Sequence, residues 1–148
     1  PLVVLTGGEP FRQNLGPAAR FLLQHGYHIQ VETNGTTAPK DFPFIPTTVV
    51  CSPKTAKLHP GLEDKIDYLK YVLEAGNVDE KDGLPISTLG NEGGVARPQY
   101  IGRDRVFVQP LDVQDEVRNK LNMQAAVESA MKFGYRLTIQ THKICGLD

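Results

Sequence analysis

Leu2-Val3-Val4-Leu5-Thr6-Gly7-Gly8-Glu9-Pro10 lies near the start of the sequence and decides its fold class. The four apolar residues are short and branched enough for a buried parallel strand. Two glycines directly after a strand let the backbone approach a ligand, because no Cβ stands in the way. A glycine pair after a strand is more often a plain tight turn, so the rest of the chain has to distinguish a turn from a site.

Strands and helices alternate along the rest of the chain. We predict further strands at 28–32, 49–51, 68–73, 106–108 and 136–140, and helices at 17–25 and 115–133. For 68–73 a helical turn is the alternative to the strand that we favour. The second helix keeps the apolar spacing of an amphipathic helix, through Val117, Leu121, Val127, Ala130 and Met131, and Gly134 caps its end. Alternation of this kind implies parallel pairing, and therefore an α/β barrel or a doubly wound sheet.

Length and composition restrict the class of protein. A chain of 148 residues predicts one domain, 1–148, within which 75–104 is a long connection that serves as a lid, an interface or a disordered excursion. The net charge of −1 argues against nucleic acid as a partner. No apolar run is long enough to span a membrane and no secretory signal is visible, so we expect a cytoplasmic protein.

The two cysteines give no sign of a metal site or a disulfide framework. Cys51 and Cys145 form no C-x-x-C pair, and we expect both to be buried spectators. The sequence starts at Pro1 directly before the first strand, with no methionine or polar lead-in, and we expect it to be a fragment.

Polar side chains follow the end of each predicted strand. The pairs are Thr6 and Glu9, Glu32 and Asn34, Ser52 and Lys54, Gln109 and Asp112, and Gln140 and His142. Ligands of α/β barrels and open α/β sheets bind at the carboxyl ends of the strands. Any single pair is equally well explained as a solvated turn, but all five together favour a site.

Each residue of these pairs has two possible roles, one in binding a ligand and one that is purely structural or solvent-exposed. Glu32 accepts hydrogen bonds from a ligand or is a plain surface carboxylate, and Lys54, stiffened by Pro53, points inward or into solvent. Gln109, held before Pro110, pairs with a heterocycle edge or caps backbone groups. His142 binds a polar substrate or acts as a general acid, although a lone histidine is more often a structural hydrogen-bonding group.

The motifs at these positions resemble a known family. Thr6-Gly7-Gly8-Glu9-Pro10 looks like the glycine-rich motif of radical S-adenosylmethionine enzymes. The 7-carboxy-7-deazaguanine synthase family is resembled more narrowly, in chain order, by Val31-Glu32-Thr33-Asn34-Gly35-Thr36, Cys51-Ser52-Pro53-Lys54, Leu69-Lys70-Tyr71-Val72, Phe107-Val108-Gln109-Pro110-Leu111-Asp112, Gly134-Tyr135-Arg136-Leu137 and Gln140-Thr141-His142-Lys143. The likeness is weakest across 36–47 and 74–104.

This resemblance implies a fold and a chemistry. The fold would be an incomplete TIM-like barrel of parallel strands with few helices, holding S-adenosylmethionine, a 4Fe-4S cluster and Mg²⁺. Reductive cleavage of the cofactor would give a 5′-deoxyadenosyl radical that starts the conversion of 6-carboxy-5,6,7,8-tetrahydropterin to 7-carboxy-7-deazaguanine, with loss of ammonia, in queuosine biosynthesis. The implied partners are the pterin, an electron donor such as flavodoxin, and a second copy in a homodimer.

The resemblance also implies residue roles. The pterin would contact Thr6, His142 and the terminal carboxylate of Asp148. The cofactor would lie against Gly8, with Glu9 supporting that loop, and against Glu32, Ser52, Pro53, Lys54, Gln109, Pro110, Leu111 and Asp112. No metal ligand is assigned, because the family's three-cysteine loop and Mg²⁺ ligand precede the glycine motif and are not in this sequence. The isolated chain is therefore expected to be inactive.

Two other interpretations remain open from the sequence. A radical S-adenosylmethionine glycyl-radical activase would share the glycine motif, but it would leave Gln140-Thr141-His142-Lys143 unexplained. A cluster-less protein that binds a pterin without catalysis would keep the strand-end residues and need no cysteines.

Overall fold

The computed structural model describes residues 1–88, 93–141 and 145–146. It contains six strands and two α-helices, in the order β1 (Leu2–Leu5), α1 (Gly16–Gln24), β2 (His28–Thr33), β3 (Thr48–Cys51), β4 (Tyr68–Leu73), β5 (Val106–Pro110), α2 (Glu116–Phe133) and β6 (Arg136–Leu137). Every predicted strand and both predicted helices are present, with boundaries shifted by a few residues.

The strands form one sheet in the order β1-β2-β3-β4-β5-β6. Leu5 of β1 lies beside Val31 of β2, and Thr33 of β2 lies beside Cys51 of β3, in parallel register. Parallel strands in chain order, joined by helices or long loops, are what an incomplete barrel requires. The predicted α/β class, with parallel strands and few helices, is confirmed.

The first of two compact units comprises Pro1–Lys70 and Ser87–Ile101. Its core packs α1 onto one face of β2 through Phe11, Ala19, Ile29, Val31, Phe42 and Leu62. The rings of Phe11 and Phe42 meet edge to face with centroids 5.3 Å apart. Pro17 lies in the first turn of α1, and Gly26, with φ of +78°, is the second residue after its end.

One prediction for β1 is wrong. The strand is not buried on both faces, because Leu2 is 61% exposed and Val4 is 43% exposed. Leu5 packs against the core of the unit, whereas Leu2 and Val4 alternate onto the other face of the sheet. The apolar run therefore indicated a strand correctly, but only one of its faces is covered by described residues.

The second unit comprises Tyr71–Ile86 and Gly102–Asp148, and α2 is its longest element. Asp115 caps α2 by accepting hydrogen bonds from the backbone N–H groups of Val117 and Arg118, and Gly134 ends it with φ of +76°. β5 extends through Pro110, and β6 covers only Arg136–Leu137 rather than the predicted 136–140. Its register with β5 ends at Val108 beside Leu137, so the alternation beyond Leu137 has no ladder to follow.

The buried face of α2 is the opposite of the one that its apolar spacing indicates. Val117, Leu121 and Met131 are exposed, and the buried residues are Asn122, Ala126 and Ser129. Asn122 accepts a hydrogen bond from the N–H of Ala75 and donates one to the carbonyl of Leu111. Ser129 donates to the carbonyl of Gly83. Polar side chains can be buried here because each satisfies backbone groups of neighbouring loops.

The described residues between β4 and β5 include a bridge between Val78 and Pro85 and a 3₁₀ turn, Arg103–Arg105. None of the described helices is long and apolar enough to cross a membrane. Cys51 is buried as expected, but Cys145 is exposed, so the expectation of burial fails for Cys145.

Candidate functional site

The glycine loop after β1 is open to solvent. Thr6, Gly7 and Gly8 are exposed, whereas Glu9 and Pro10 are buried. Gly7 has φ of +130°, a conformation that glycine adopts readily, so its identity follows from the turn itself. Gly8 has no such conformation, and a Cβ added to it would meet no described atom within 4 Å. The fold does not require glycine at position 8, which leaves close approach of a ligand as a reason for it.

Glu9 fixes this loop to the end of β2. Its carboxylate accepts hydrogen bonds from the N–H of Phe11 at 3.0 Å, the hydroxyl of Thr33 at 2.9 Å and the N–H of Asn34 at 2.7 Å. Glu9 as a whole residue is 8% exposed, and both of its carboxylate oxygens accept hydrogen bonds. Its geometry is that of a support for the loop, which is the role that the resemblance implied for it.

Glu32 lies on the other face of β2, paired with a lysine of β4. The Nζ of Lys70 donates to one carboxylate oxygen at 2.8 Å, and the amide of Gln30 donates to the other at 3.3 Å. The side chains of Lys70 and Glu32 are 22% and 31% exposed, so the pair is partly shielded from water. Glu32 is therefore not a plain surface carboxylate, and it presents a paired charge on this face of the sheet.

Sequence reasoning gave no role to Lys70 or Thr33. Lys70 is the single charged residue in the otherwise apolar strand β4, and a charge in such a strand is a signal for a paired or functional side chain. Thr33 carried no comparable signal, because threonine is common in strands for its shape alone. Both residues act by holding a carboxylate of the strand-end region.

The turn after β3 brings Ser52, Pro53 and Lys54 to the end of that strand. The hydroxyl of Ser52 donates to the carbonyl of Lys70 at 2.7 Å, and Pro53 is buried. Partial desolvation lowers the pKa of Lys54, and the positive charge of Lys70 lowers it further. Two lysine charges near one another favour an anionic group between or beside them.

Cys51, immediately before this turn, is not a ligand or nucleophile. Burial raises the pKa of its thiol to about 12, and the negative charge of Glu9 adds to the effect. A thiol with such a pKa stays protonated at neutral pH, whereas metal ligation and nucleophilic attack require the thiolate. Its Sγ instead packs beneath Gly35, where a Cβ would overlap it.

A second group of predicted residues lies in the other unit, at the end of β5. Pro110, Leu111 and Asp112 line a cavity of about 200 Å³ together with Asn119, Met123, Ile139 and Gln140. The carboxylate of Asp112 accepts from the amide of Asn119 at 2.7 Å and from the N–H of Gln114 at 3.3 Å. Gln109, which precedes Pro110 in β5, is half-buried. Sequence reasoning missed Asn119, which holds Asp112 in place from α2.

Two predicted substrate contacts, His142 and Asp148, lie outside the described residues. Thr6 is described and exposed beside the glycine loop. Among the described residues there is no group of three or more histidine, cysteine or acidic side chains that could hold a metal ion.

Comparison with known proteins relates the chain to one group of enzymes. No protein-family model matches it. A 7-carboxy-7-deazaguanine synthase of Rhodospirillum rubrum is 45% identical over 97% of this chain and 63% of its own length. One of Rickettsia prowazekii is 35% identical over 99% of this chain and 59% of its own length. The chain thus spans about three fifths of these relatives.

A solved structure supports the fold assignment. The crystal structure of QueE from Escherichia coli aligns with a TM-score of 0.61 at 22% sequence identity, covering 94% of this chain and 56% of that protein. At this identity the alignment demonstrates a common fold. A functional argument for this chain therefore rests on the sequence matches and not on this structural alignment.

Proposed function

Because the chain is a homologue of the 7-carboxy-7-deazaguanine synthases over nearly its whole length, we propose that it provides strand-end residues of a radical S-adenosylmethionine active site. The proposed reaction is the conversion of 6-carboxy-5,6,7,8-tetrahydropterin to 7-carboxy-7-deazaguanine with loss of ammonia, a step of queuosine biosynthesis. The proposal covers the protein in its native full-length form, as a lyase of the cytoplasm that takes a small-molecule substrate.

The observation that carries the proposal is the loop Thr6-Gly7-Gly8. It is exposed, braced from behind by buried Glu9, and free of protein atoms around the position of a Cβ at Gly8. S-Adenosylmethionine ends in an amino group and a carboxylate, which backbone carbonyl and N–H groups bind when they are approached closely. The open space at Gly8 fits such a ligand.

The cofactor, when bound, supplies a carbon radical that removes a hydrogen atom from the pterin. We propose that Gly8 binds its methionine end with backbone groups, while Glu9 holds the loop. Lys54 supplies positive charge from the Ser52-Pro53-Lys54 turn, where burial and the charge of Lys70 lower the pKa of its ammonium group. Glu32, aligned by Lys70, accepts hydrogen bonds from hydroxyl or amino groups of a ligand.

In the second unit, Gln109, Pro110, Leu111 and Asp112 are proposed to contact the same cofactor. Asp112 accepts a hydrogen bond from the amide of Asn119, so its carboxylate keeps a fixed direction. Substrate contacts are proposed for Thr6, His142 and the terminal carboxylate of Asp148. A carboxylate suits the amino-pyrimidinone edge of a pterin, which presents adjacent N–H donors.

The residues present do not fit the other two implied groups. A 4Fe-4S cluster is held by cysteine thiolates, and of the two cysteines in this sequence one is a buried thiol with a pKa of about 12. The described residues offer no acidic cluster for Mg²⁺ either. No step through the cluster or Mg²⁺ is derived from this chain. We also propose that the full-length protein receives electrons from a flavodoxin-like donor and forms a homodimer.

The substitution Gly8→Val tests whether the open space at Gly8 is where the cofactor binds. The added side chain meets no protein atom, so the melting temperature without ligand is expected to stay within about 1 °C of the parent, consistent with a surface change. Affinity for S-adenosylmethionine, measured by isothermal titration calorimetry on the anaerobic full-length protein, is expected to fall at least about tenfold. Unchanged affinity would remove Gly8 from the site.

Lys54→Met tests the charge assignment. Loss of one charge-assisted hydrogen bond is expected to weaken cofactor binding by about ten- to a hundredfold, while pterin affinity changes less. Lys57→Met, at an exposed lysine three residues further on, is the matched control and is expected to leave both affinities unchanged. A larger effect on pterin than on cofactor would reverse the assignment.

Turnover tests the reaction class. The full-length protein, reconstituted anaerobically with iron and sulfide, is expected to form the deazaguanine from the carboxy-tetrahydropterin. A protein that binds the pterin and forms no product would be the binding-only alternative. Cofactor cleavage that depends on a protein substrate would identify an activase.

A further inference from the structure

Two asparagines of α2 hold the turn that follows β5. Asn119 and Asn122 are one helical turn apart, so their side chains lie on the same side of the helix. Asn122 donates to the carbonyl of Leu111 at 2.8 Å and accepts from the N–H of Ala75 at 2.8 Å. Asn119 reaches the next two residues of the turn. The end of β5 is therefore attached to α2 through side-chain amides.

The hydrogen bonds of Asn119 fix which atom of its amide faces Asp112. Its Oδ1 accepts from the N–H of Val113 at 2.9 Å, and its Nδ2 donates to Oδ1 of Asp112 at 2.7 Å. Because a backbone N–H can only donate, a reversed amide would set two donors against each other and a carbonyl oxygen against a carboxylate. Asn119 therefore always presents a donor to Asp112, and this donor fixes one carboxylate oxygen.

The turn between β5 and α2 needs such support, because its backbone is strained. Gln114 has φ of +59°, a conformation that glycine adopts freely and a residue with a side chain adopts rarely. Its N–H donates to the same Oδ1 of Asp112, at 3.3 Å. The N–H of Leu111 donates separately to the carbonyl of Leu73 in β4, at 2.8 Å. Contacts with neighbouring elements, and not the conformational preference of the turn, keep Asp112 in place.

We propose that Asn119 is a positioning residue of the cofactor site, which acts on the ligand by orienting the carboxylate of Asp112. We rest this inference on the proposed function, in which Asp112 contacts S-adenosylmethionine. Asp112 and Asn119 both line the cavity of about 200 Å³ at the end of β5, so a shift of the turn changes the wall that a ligand meets. The hydrogen bonds that position Asp112 are made within one compact unit of this chain.

A double-mutant cycle between Asn119 and Asp112 tests the proposal. The dissociation constant of S-adenosylmethionine is measured by isothermal titration calorimetry on the anaerobic, cluster-loaded full-length protein. Asp112→Ala and Asn119→Ala are each expected to raise this constant about tenfold. Because Asn119 acts through Asp112, the double variant is expected to match Asp112→Ala within about twofold, and the two effects should not multiply. Gln124→Ala removes an exposed amide from the same helix and is expected to bind as the parent does.

The substitution Asn119→Asp separates positioning from general electrostatics. It keeps the size of the side chain and the acceptor for the N–H of Val113, but it sets a second carboxylate against Asp112. Because the cofactor carries a sulfonium cation, added negative charge by itself would strengthen binding. The positioning role predicts the opposite, a loss of affinity of about tenfold or more at pH 8. Gln124→Glu adds the same charge at an exposed amide of α2 and should leave the constant within about twofold of the parent.

Circular dichroism melts verify that each variant is folded at the temperature of the titration. Folded Asn119 variants that bind the cofactor as tightly as the parent would overturn the positioning role. Effects that multiply in the double variant, tighter binding by Asn119→Asp, or parent affinity in Asp112→Ala would also overturn it, because Asn119 would then not act through Asp112. A parent protein that does not bind the cofactor would instead overturn the proposed function, and this inference with it.

Discussion

At the residue scale, the strand-end region depends on carboxylates whose partners come from distant parts of the sequence. Glu9 is engaged by Thr33 and Asn34, and Glu32 by Lys70. Burial of a carboxylate is tolerated only when donors satisfy it, and these donors also fix its direction. The exposed glycine loop is consequently anchored by a buried carboxylate that is hydrogen-bonded on both oxygens.

Thr33→Val removes the hydroxyl that donates to Glu9 and accepts from the N–H of Gly35. We expect a loss of about 1–3 kcal/mol in the free energy of unfolding, because a buried carboxylate and a buried N–H each lose a partner. Urea unfolding measures it. Thr48→Val, at a half-buried threonine of β3, is the control and should change stability by no more than about 0.5 kcal/mol. Equal effects of the two changes would contradict a special role for Thr33.

The two cysteines are expected to differ in reactivity. Cys51 has a thiol pKa raised to about 12 by burial, so about one molecule in ten thousand carries the thiolate at pH 8. Iodoacetamide at pH 8 should therefore modify exposed Cys145 and spare Cys51, as read by peptide mass spectrometry. In guanidinium chloride both should be modified at similar rates. Rapid modification of Cys51 in the native protein would show that its burial is wrong.

At the element scale, α2 packs through small and polar residues because the loop that contains Asp82 and Gly83, between β4 and β5, approaches it closely. Ser129 donates to the carbonyl of Gly83, and the hydroxyl of Tyr135 donates to the carbonyl of Asp82. Gly83 has φ of +71°, and a Cβ there would overlap the ring of Phe133 and the hydroxyl of Ser129. Larger apolar residues on this face of α2 would hold the loop away from the helix.

Gly83→Ala is expected to destabilise the protein by more than backbone strain alone. Gly76→Ala is the matched control, because Gly76 also has positive φ, at +84°, but no atom lies within 4 Å of an added Cβ. Strain should cost about 1 kcal/mol at either position, and steric overlap about 1–3 kcal/mol more at Gly83. Thermal or urea unfolding measures both variants. Equal losses of unfolding free energy in the two variants would mean that the loop moves to accept the Cβ at position 83 without an energetic cost.

At the scale of the whole molecule, ligand binding should be confined to strand ends. Hydrogen exchange measured by mass spectrometry, with and without S-adenosylmethionine, should show added protection in peptides that cover residues 5–10, 50–56 and 109–112. Exchange in 126–132 should be unchanged, because no residue of that stretch is assigned to the proposed cofactor site. Protection limited to α2 would place the ligand elsewhere.

The sequence by itself determined the secondary structure and the fold class. The apolar run 2–5, the apolar stretch 68–73 and Gly134 after the second helix act over a few neighbouring residues, so they are visible without a structure. The glycine-rich loop and the turn after β3 were located in the same way. Their roles toward ligands remain predictions, since pattern shows which chemistry is available and not what binds.

Only the tertiary structure decided which partners these residues have. Glu9 and Thr33 are 24 residues apart, and Glu32 and Lys70 are 38 apart, so no local pattern links them. The buried face of α2 was likewise set by the loops that Asn122 and Ser129 satisfy, against the apolar spacing of the helix. Periodicity records the average preference of side chains for water, whereas burial is decided by the hydrogen bonds and close contacts that a particular neighbour allows.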